Sequence, residues 1–113
     1  MKPKIVITRH AIQRYKERIE SSQPIRKIKK AIIKELNSPE IKWVEMKNLP
    51  KEILIHLSLR GLEGGYIAFN CETGVLYKLH FDRNKRIIVV SVDRVDGALK
   101  EGLSDLLKLN FDS

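Results

Sequence analysis

Residues suited to phosphate chemistry recur at helical spacing near the start of the chain: His10, Arg14 and Arg18, with Glu17 among them. At about 100° per residue, His10, Arg14 and Glu17 fall within about 60° of one another on a helix, and Arg18 stands just beside them. Histidine can give or take a proton on either side of neutral pH, and the planar guanidinium of arginine suits the oxygens of a phosphate. A solvated helix face with Arg14 and Glu17 paired would carry the same residues. A second set comes from alternation. Lys78 and His80 share one side of a run whose other side is Val75, Tyr77, Leu79 and Phe81. His56, Ser58 and Arg60 share the polar side of an earlier run, and Ser91 and Asp93 alternate in a later one. If these sides face the same way, they form a basic, hydrogen-bonding surface; the wet face of an antiparallel sheet would look alike.

Other chemistries have less to stand on. Three separated histidines and a single cysteine show no recognised ligand spacing, so neither a metal nor another cofactor is expected. Cys71 falls in a hairpin turn and reads as incidental, not as a nucleophile. Gly61, Gly64 and Gly65 lack the strand-to-helix setting of a phosphate loop. Trp43, Tyr66, Phe69 and Tyr77 could stack on bases, although burial is the commoner fate of such side chains.

The elements that must position these groups follow from periodicity. Residues 4–8 alternate as a short strand, and Thr8 then reads as the N-cap of a helix over 9–21, with Ile12, Tyr15 and Ile19 on its apolar side. Pro24 suits the first turn of a second helix, whose stripe is Ile25, Ile28, Ile32 and Leu36 and whose other face carries Arg26, Lys27, Lys30 and Lys34. After Asn37, Ser38 and Pro39 the pattern changes to alternation. Strands are predicted at 41–47, 53–59, 66–70, 75–81 and 87–94, with tight turns at 71–74 and 82–86, and a helix over 98–107 follows Gly97. The order is α+β: β-α-α, then these five predicted strands, four of them expected to form an antiparallel meander, and a C-terminal helix. The helix pair should cover one sheet face and leave the other open to a ligand.

A chain of 113 residues, 42% hydrophobic and 32% charged, is long enough for one core, so residues 1–113 are expected to form a single domain. Charge is unevenly placed. Residues 1–36 hold eleven Lys and Arg against three Asp and Glu, while 37–113 hold eleven of each, so the whole +8 lies at the front. A field of one sign captures polyanions, which makes nucleic acid the first partner to consider; an acidic protein, a membrane surface or plain solubility would also fit. No apolar run approaches a membrane span, the first eight residues are too short for a signal peptide, and a lone cysteine agrees with a reducing compartment. A cytoplasmic protein with no membrane partner is expected.

The segment Thr8-Arg9-His10-Ala11-Ile12-Gln13-Arg14-Tyr15-Lys16-Glu17-Arg18-Ile19 resembles the His-Ala-x-x-Arg-x-x-x-Arg helix of small bacterial domains related to BrnT and RelE toxins. The resemblance implies a RelE-like fold, metal-independent endoribonuclease activity of the mRNA interferase type, RNA as partner on or off the ribosome, and an acidic antitoxin-like protein as a second partner. Only His10, Arg14 and Arg18 carry over by motif; Lys78 and His80 rest on alternation alone. In such an enzyme a ribose 2′-hydroxyl attacks the adjacent phosphate, His10 and His80 move the two protons, and Arg14, Arg18 and Lys78 offset the growing charge. A non-catalytic nucleic-acid-binding module and a domain docking an acidic partner are the competing expectations.

Overall fold

The structure is a computed structural model that describes residues 4–19, 22–56 and 65–111. It is α+β, with five strands in one mixed sheet and four helices. In chain order these are β1 (Ile5–Ile7), α1 (Arg9–Arg18), α2 (Ile25–Leu36), β2 (Ile41–Glu45), a 3-10 turn (Met46–Asn48), α3 (Lys51–His56), β3 (Tyr66–Asn70), β4 (Val75–Phe81), β5 (Ile87–Arg94) and α4 (Gly97–Phe111). Strands β2 to β5 pair antiparallel in sequence order, and β1 adds to the outer edge of β5 in parallel, giving the spatial order β1-β5-β4-β3-β2. The sheet is therefore mixed and not a simple meander. A parallel neighbour needs a crossover, which α1, α2 and the meander together supply.

Both sheet faces are covered. Ala11 and Ile12 of α1 and Ile28, Ile32 and Leu36 of α2 pack against Ala68, Tyr77, Leu79, Val89 and Val92 on one face. Each fully buried isoleucine there contributes roughly 1.5–3 kcal/mol of transfer free energy. Ile25 is 51% exposed, so the buried stripe of α2 starts one turn later than its spacing suggests. On the other face Leu103 and Leu107 of α4, with Met46, Leu49, Ile53 and Leu54, pack on Val44, Ile67, Phe69 and Leu76. The expectation of a face left open to ligand is thus corrected, because the outward-facing Ile67, Phe69 and Leu76 are apolar and need a cover.

The predicted strand at 53–59 is also corrected. Lys51–His56 is helical, its first turn started by Pro50, whose carbonyl accepts from the N–H groups of Ile53 and Leu54, each at 3.1 Å. Leu57 and Leu59 lie outside the described residues. A run of Ile, Leu and Ile satisfies either period, and β2 pairs directly with β3, Val44 opposite Ile67, so no strand lies between them.

The β3–β4 hairpin is fixed by polar groups. The Asn70 side-chain oxygen accepts from the N–H groups of Glu72 and Thr73, at 2.9 and 3.3 Å. The Asn70 amide donates to Glu35 of α2 at 2.9 Å, and the Tyr77 hydroxyl donates to the same carboxylate. Burial, reinforced by that carboxylate, pushes the Tyr77 phenol up. Gly74 closes the turn at φ +81°, and a Cβ there would lie 2.1 Å from the Val95 carbonyl oxygen.

Candidate anion-binding site

The site begins at Thr8. β1 pairs with β5 only as far as Val89, so among the described residues the outer edge of β5 beyond that point has no strand neighbour. Thr8 turns the chain there. Its Oγ1 donates to the carbonyls of Val89 and Val90, at 3.0 and 3.2 Å, and accepts from the N–H of Ala11 at 3.1 Å, capping α1. Ala11 and Ile12 face the core, which lays α1 along the vacant edge of β5. At the far end of the helix Arg18 donates to the Val92 carbonyl at 2.7 Å and stands 3.6 Å from the Asp93 carboxylate. Both ends of α1 thus satisfy edge carbonyls that another strand would otherwise take.

Alternation and register settle the sheet half of the site. Val75, Tyr77 and Leu79 face the α1–α2 core, so Leu76, Lys78 and His80 face the other way. Lys78 lies opposite Ser91 and His80 opposite Ile88, while Asp93, opposite Leu76, is the diagonal neighbour of Lys78. An irregularity in the β4–β5 pairing follows between Lys78 and Leu79. Lys78 is buried, and burial pushes its ammonium below the ordinary lysine value. Asp93 opposes that shift; Arg18 and Arg14 add to it. The helix cations and the sheet lysine are therefore close enough for their charges to act on one another. Spacing alone could not establish this.

Within α1, Arg14 Nε donates to His10 Nε2 at 3.3 Å, and its terminal nitrogen donates to Glu17 at 2.9 Å. Glu17 also accepts from Gln13 at 3.2 Å. The hydrogen bond from Arg14 holds the Glu17 carboxyl below its usual value. His10, Arg14, Glu17 and Arg18 thus form one cluster, as their helical angles suggest. His80 is exposed, its Nδ1 3.4 Å from the Phe81 carbonyl, and among the described residues neither His10 nor His80 bonds the other.

The remaining sequence candidates divide differently. Arg26, Lys27, Lys30 and Lys34 are exposed on α2, on the opposite side of the sheet from Lys78, so they form a separate basic face. The His56 side chain, Ser58 and Arg60 lie outside the described residues. Phe69 and Tyr77 are fully buried, and Trp43 and Tyr66 pack against the core, so none of the four is laid out as a stacking platform. Among the described residues no group of three or more His, Cys, Asp or Glu could hold a metal ion, and no helix is long and apolar enough to cross a membrane. Sequence reasoning named Ser91 and Asp93 only as polar alternators and gave Thr8 only a capping role. Their place in the site depends on α1 lying beside β5, for which the sequence carries no local signal. Set against protein families, curated proteins and solved structures, the chain matches none of them.

Proposed function

We propose that the protein binds RNA and cuts it without a metal, as a toxin-like endoribonuclease of the mRNA interferase type on a RelE-like fold. One observation supports this above the others: Arg18 of α1 stands 3.6 Å from Asp93 of β5, the diagonal neighbour of Lys78 on β4, so helix and sheet cations meet at the β5 edge. Three cations that repel one another are held together at one sheet edge, and an anion placed between them relieves that repulsion. In the proposed reaction the ribose 2′-hydroxyl attacks the neighbouring phosphorus. The 5′-oxygen leaves, one imidazole takes the first proton, and the other gives the second. His10 is carried by Arg14, and His80 lies two residues from Lys78 on the same strand face. The test is incubation with single-stranded RNA in the presence of a chelator. Products ending in a 2′,3′-cyclic phosphate and a 5′-hydroxyl are expected, with no cut where the 2′-hydroxyl is replaced by hydrogen. Cleavage that requires added metal, or that survives His10→Ala together with His80→Ala, contradicts the reading, and tight binding without cleavage leaves a non-catalytic nucleic-acid-binding module.

A second reading, docking of an acidic, antitoxin-like protein, is favoured by one feature of the helix side. A groove of about 450 Å³ is bounded by Ile5, Ile33, Leu36, Trp43 and Ile87, with Lys4 at its rim. It adjoins α2, whose outer face is basic, so an acidic segment with apolar anchors would fit there.

A further inference from the structure

Asp93 stands in the cation cluster without closing it. Its Oδ1 accepts from the backbone N–H of Arg94 at 2.9 Å, which fixes the carboxylate to the strand. Arg18 sits 3.6 Å away, beyond hydrogen-bond range, and the same guanidinium nitrogen donates to the Val92 carbonyl at 2.7 Å. The carboxylate also acts on Lys78 across the diagonal of the β4–β5 pair. It is thus a shared counter-ion, held by the backbone and bonded to neither cation. Glu17, by contrast, is bonded directly to Arg14. Three cations and two carboxylates leave this group of side chains with a single net positive charge.

We propose that Asp93 is a selectivity residue that matches the site to the one negative charge of an internal phosphodiester and works against the two charges of a terminal or free phosphate. The inference rests on this face being an anion site, though not on RNA being cleaved there. A fixed carboxylate repels a dianion twice as strongly as a monoanion at the same place. Removing it therefore multiplies affinity for a diester by some factor and affinity for a dianion by about the square of that factor. A half-buried strand carboxylate of this kind is expected to give about threefold for the first and about tenfold for the second.

The test uses two probes at fixed ionic strength and slightly alkaline pH: a dinucleoside monophosphate, and a nucleoside 5′-monophosphate, which is a dianion there. The wild-type protein should bind the diester at least as tightly as the monophosphate. Asp93→Asn should gain about tenfold for the monophosphate and about threefold for the diester, while Glu101→Gln on α4 leaves both unchanged. Asp93→Ser, which also removes the charge, guards against a folding defect peculiar to the amide. Equal gains for both probes, no gain for either, or a wild-type preference for the monophosphate would overturn the proposal. RNA cleavage with unchanged selectivity in Asp93→Asn would sink this inference alone, whereas the predicted selectivity without RNA cleavage would sink only the ribonuclease reading.

Discussion

Thr8 and Lys78 show how single residues serve both the fold and the site. Thr8 caps α1 and clamps it to β5, so Thr8→Ala loses a cap and leaves the Val89 and Val90 carbonyls with fewer donors. Chemical denaturation should show a loss of about 1–2 kcal/mol, with a weaker anion site because Arg14 and Arg18 ride on the same helix. Lys78 is the opposite case, a buried cation beside Arg18 and Arg14 with only Asp93 in its favour. Lys78→Met should raise stability by roughly 1 kcal/mol while weakening anion binding, which denaturation and titration read separately. The sign of the pH effect follows. The folded-state value is lowered, so the unfolded chain holds the proton more tightly, and Lys78 destabilises the fold at neutral pH. That penalty is relieved as pH rises through the lowered value. A bound anion favours the protonated form, so affinity should fall over the same alkaline window, below the ordinary lysine value, and Lys78→Met should abolish that fall.

Among the elements, the β3–β4 hairpin and the basic helix make separable predictions. Gly74→Ala places a methyl group against the Val95 carbonyl at a backbone angle that side chains rarely adopt. It should cost more than about 2 kcal/mol in thermal or denaturant unfolding, since the hairpin cannot yield without moving Val95, whose N–H donates to the Gly74 carbonyl at 2.8 Å. Charge reversal at Lys27, Lys30 and Lys34 touches no buried contact, so it should lower affinity for a long polyanion and leave unfolding nearly unchanged. Unchanged affinity would remove α2 from the interface. Local pattern reveals these elements well: Ile28, Ile32 and Leu36 at helical spacing, the alternation of β4, and Cys71 to Gly74 as a turn all appear in the sequence. Pattern fails where tertiary placement decides. Ile53 to Ile55 fits helix and strand alike, and the helix begun at Pro50 decides between them. Nothing in residues 5–7 announces a parallel partner more than eighty residues away, yet that pairing sets α1 beside β5, with Arg18 next to Asp93 and the charges of Arg14 and Arg18 felt at Lys78.

At the scale of the whole molecule, the positive charge counted in the first third of the chain divides between two sides of the sheet. Arg18 contacts the β5 edge at Val92 and Asp93, and its charge and that of Arg14 act on Lys78, while the lysines of α2 stand over the other face. A long polynucleotide that touches both should bind with a steep salt dependence, and one that touches only the edge cluster with a shallow one; the slope of affinity against salt for short and long oligonucleotides separates the two. What unites fold and function is the claim that α1 and β4 present their cations to one phosphate. A double-mutant cycle on the binding of a single-stranded RNA oligonucleotide, using Arg18→Gln, Lys78→Met and the combination, measures that directly. Binding losses that depart from additivity by about 1 kcal/mol or more are expected, because both side chains then act on the same group. Losses that add, or an oligonucleotide that does not bind at all, would contradict it.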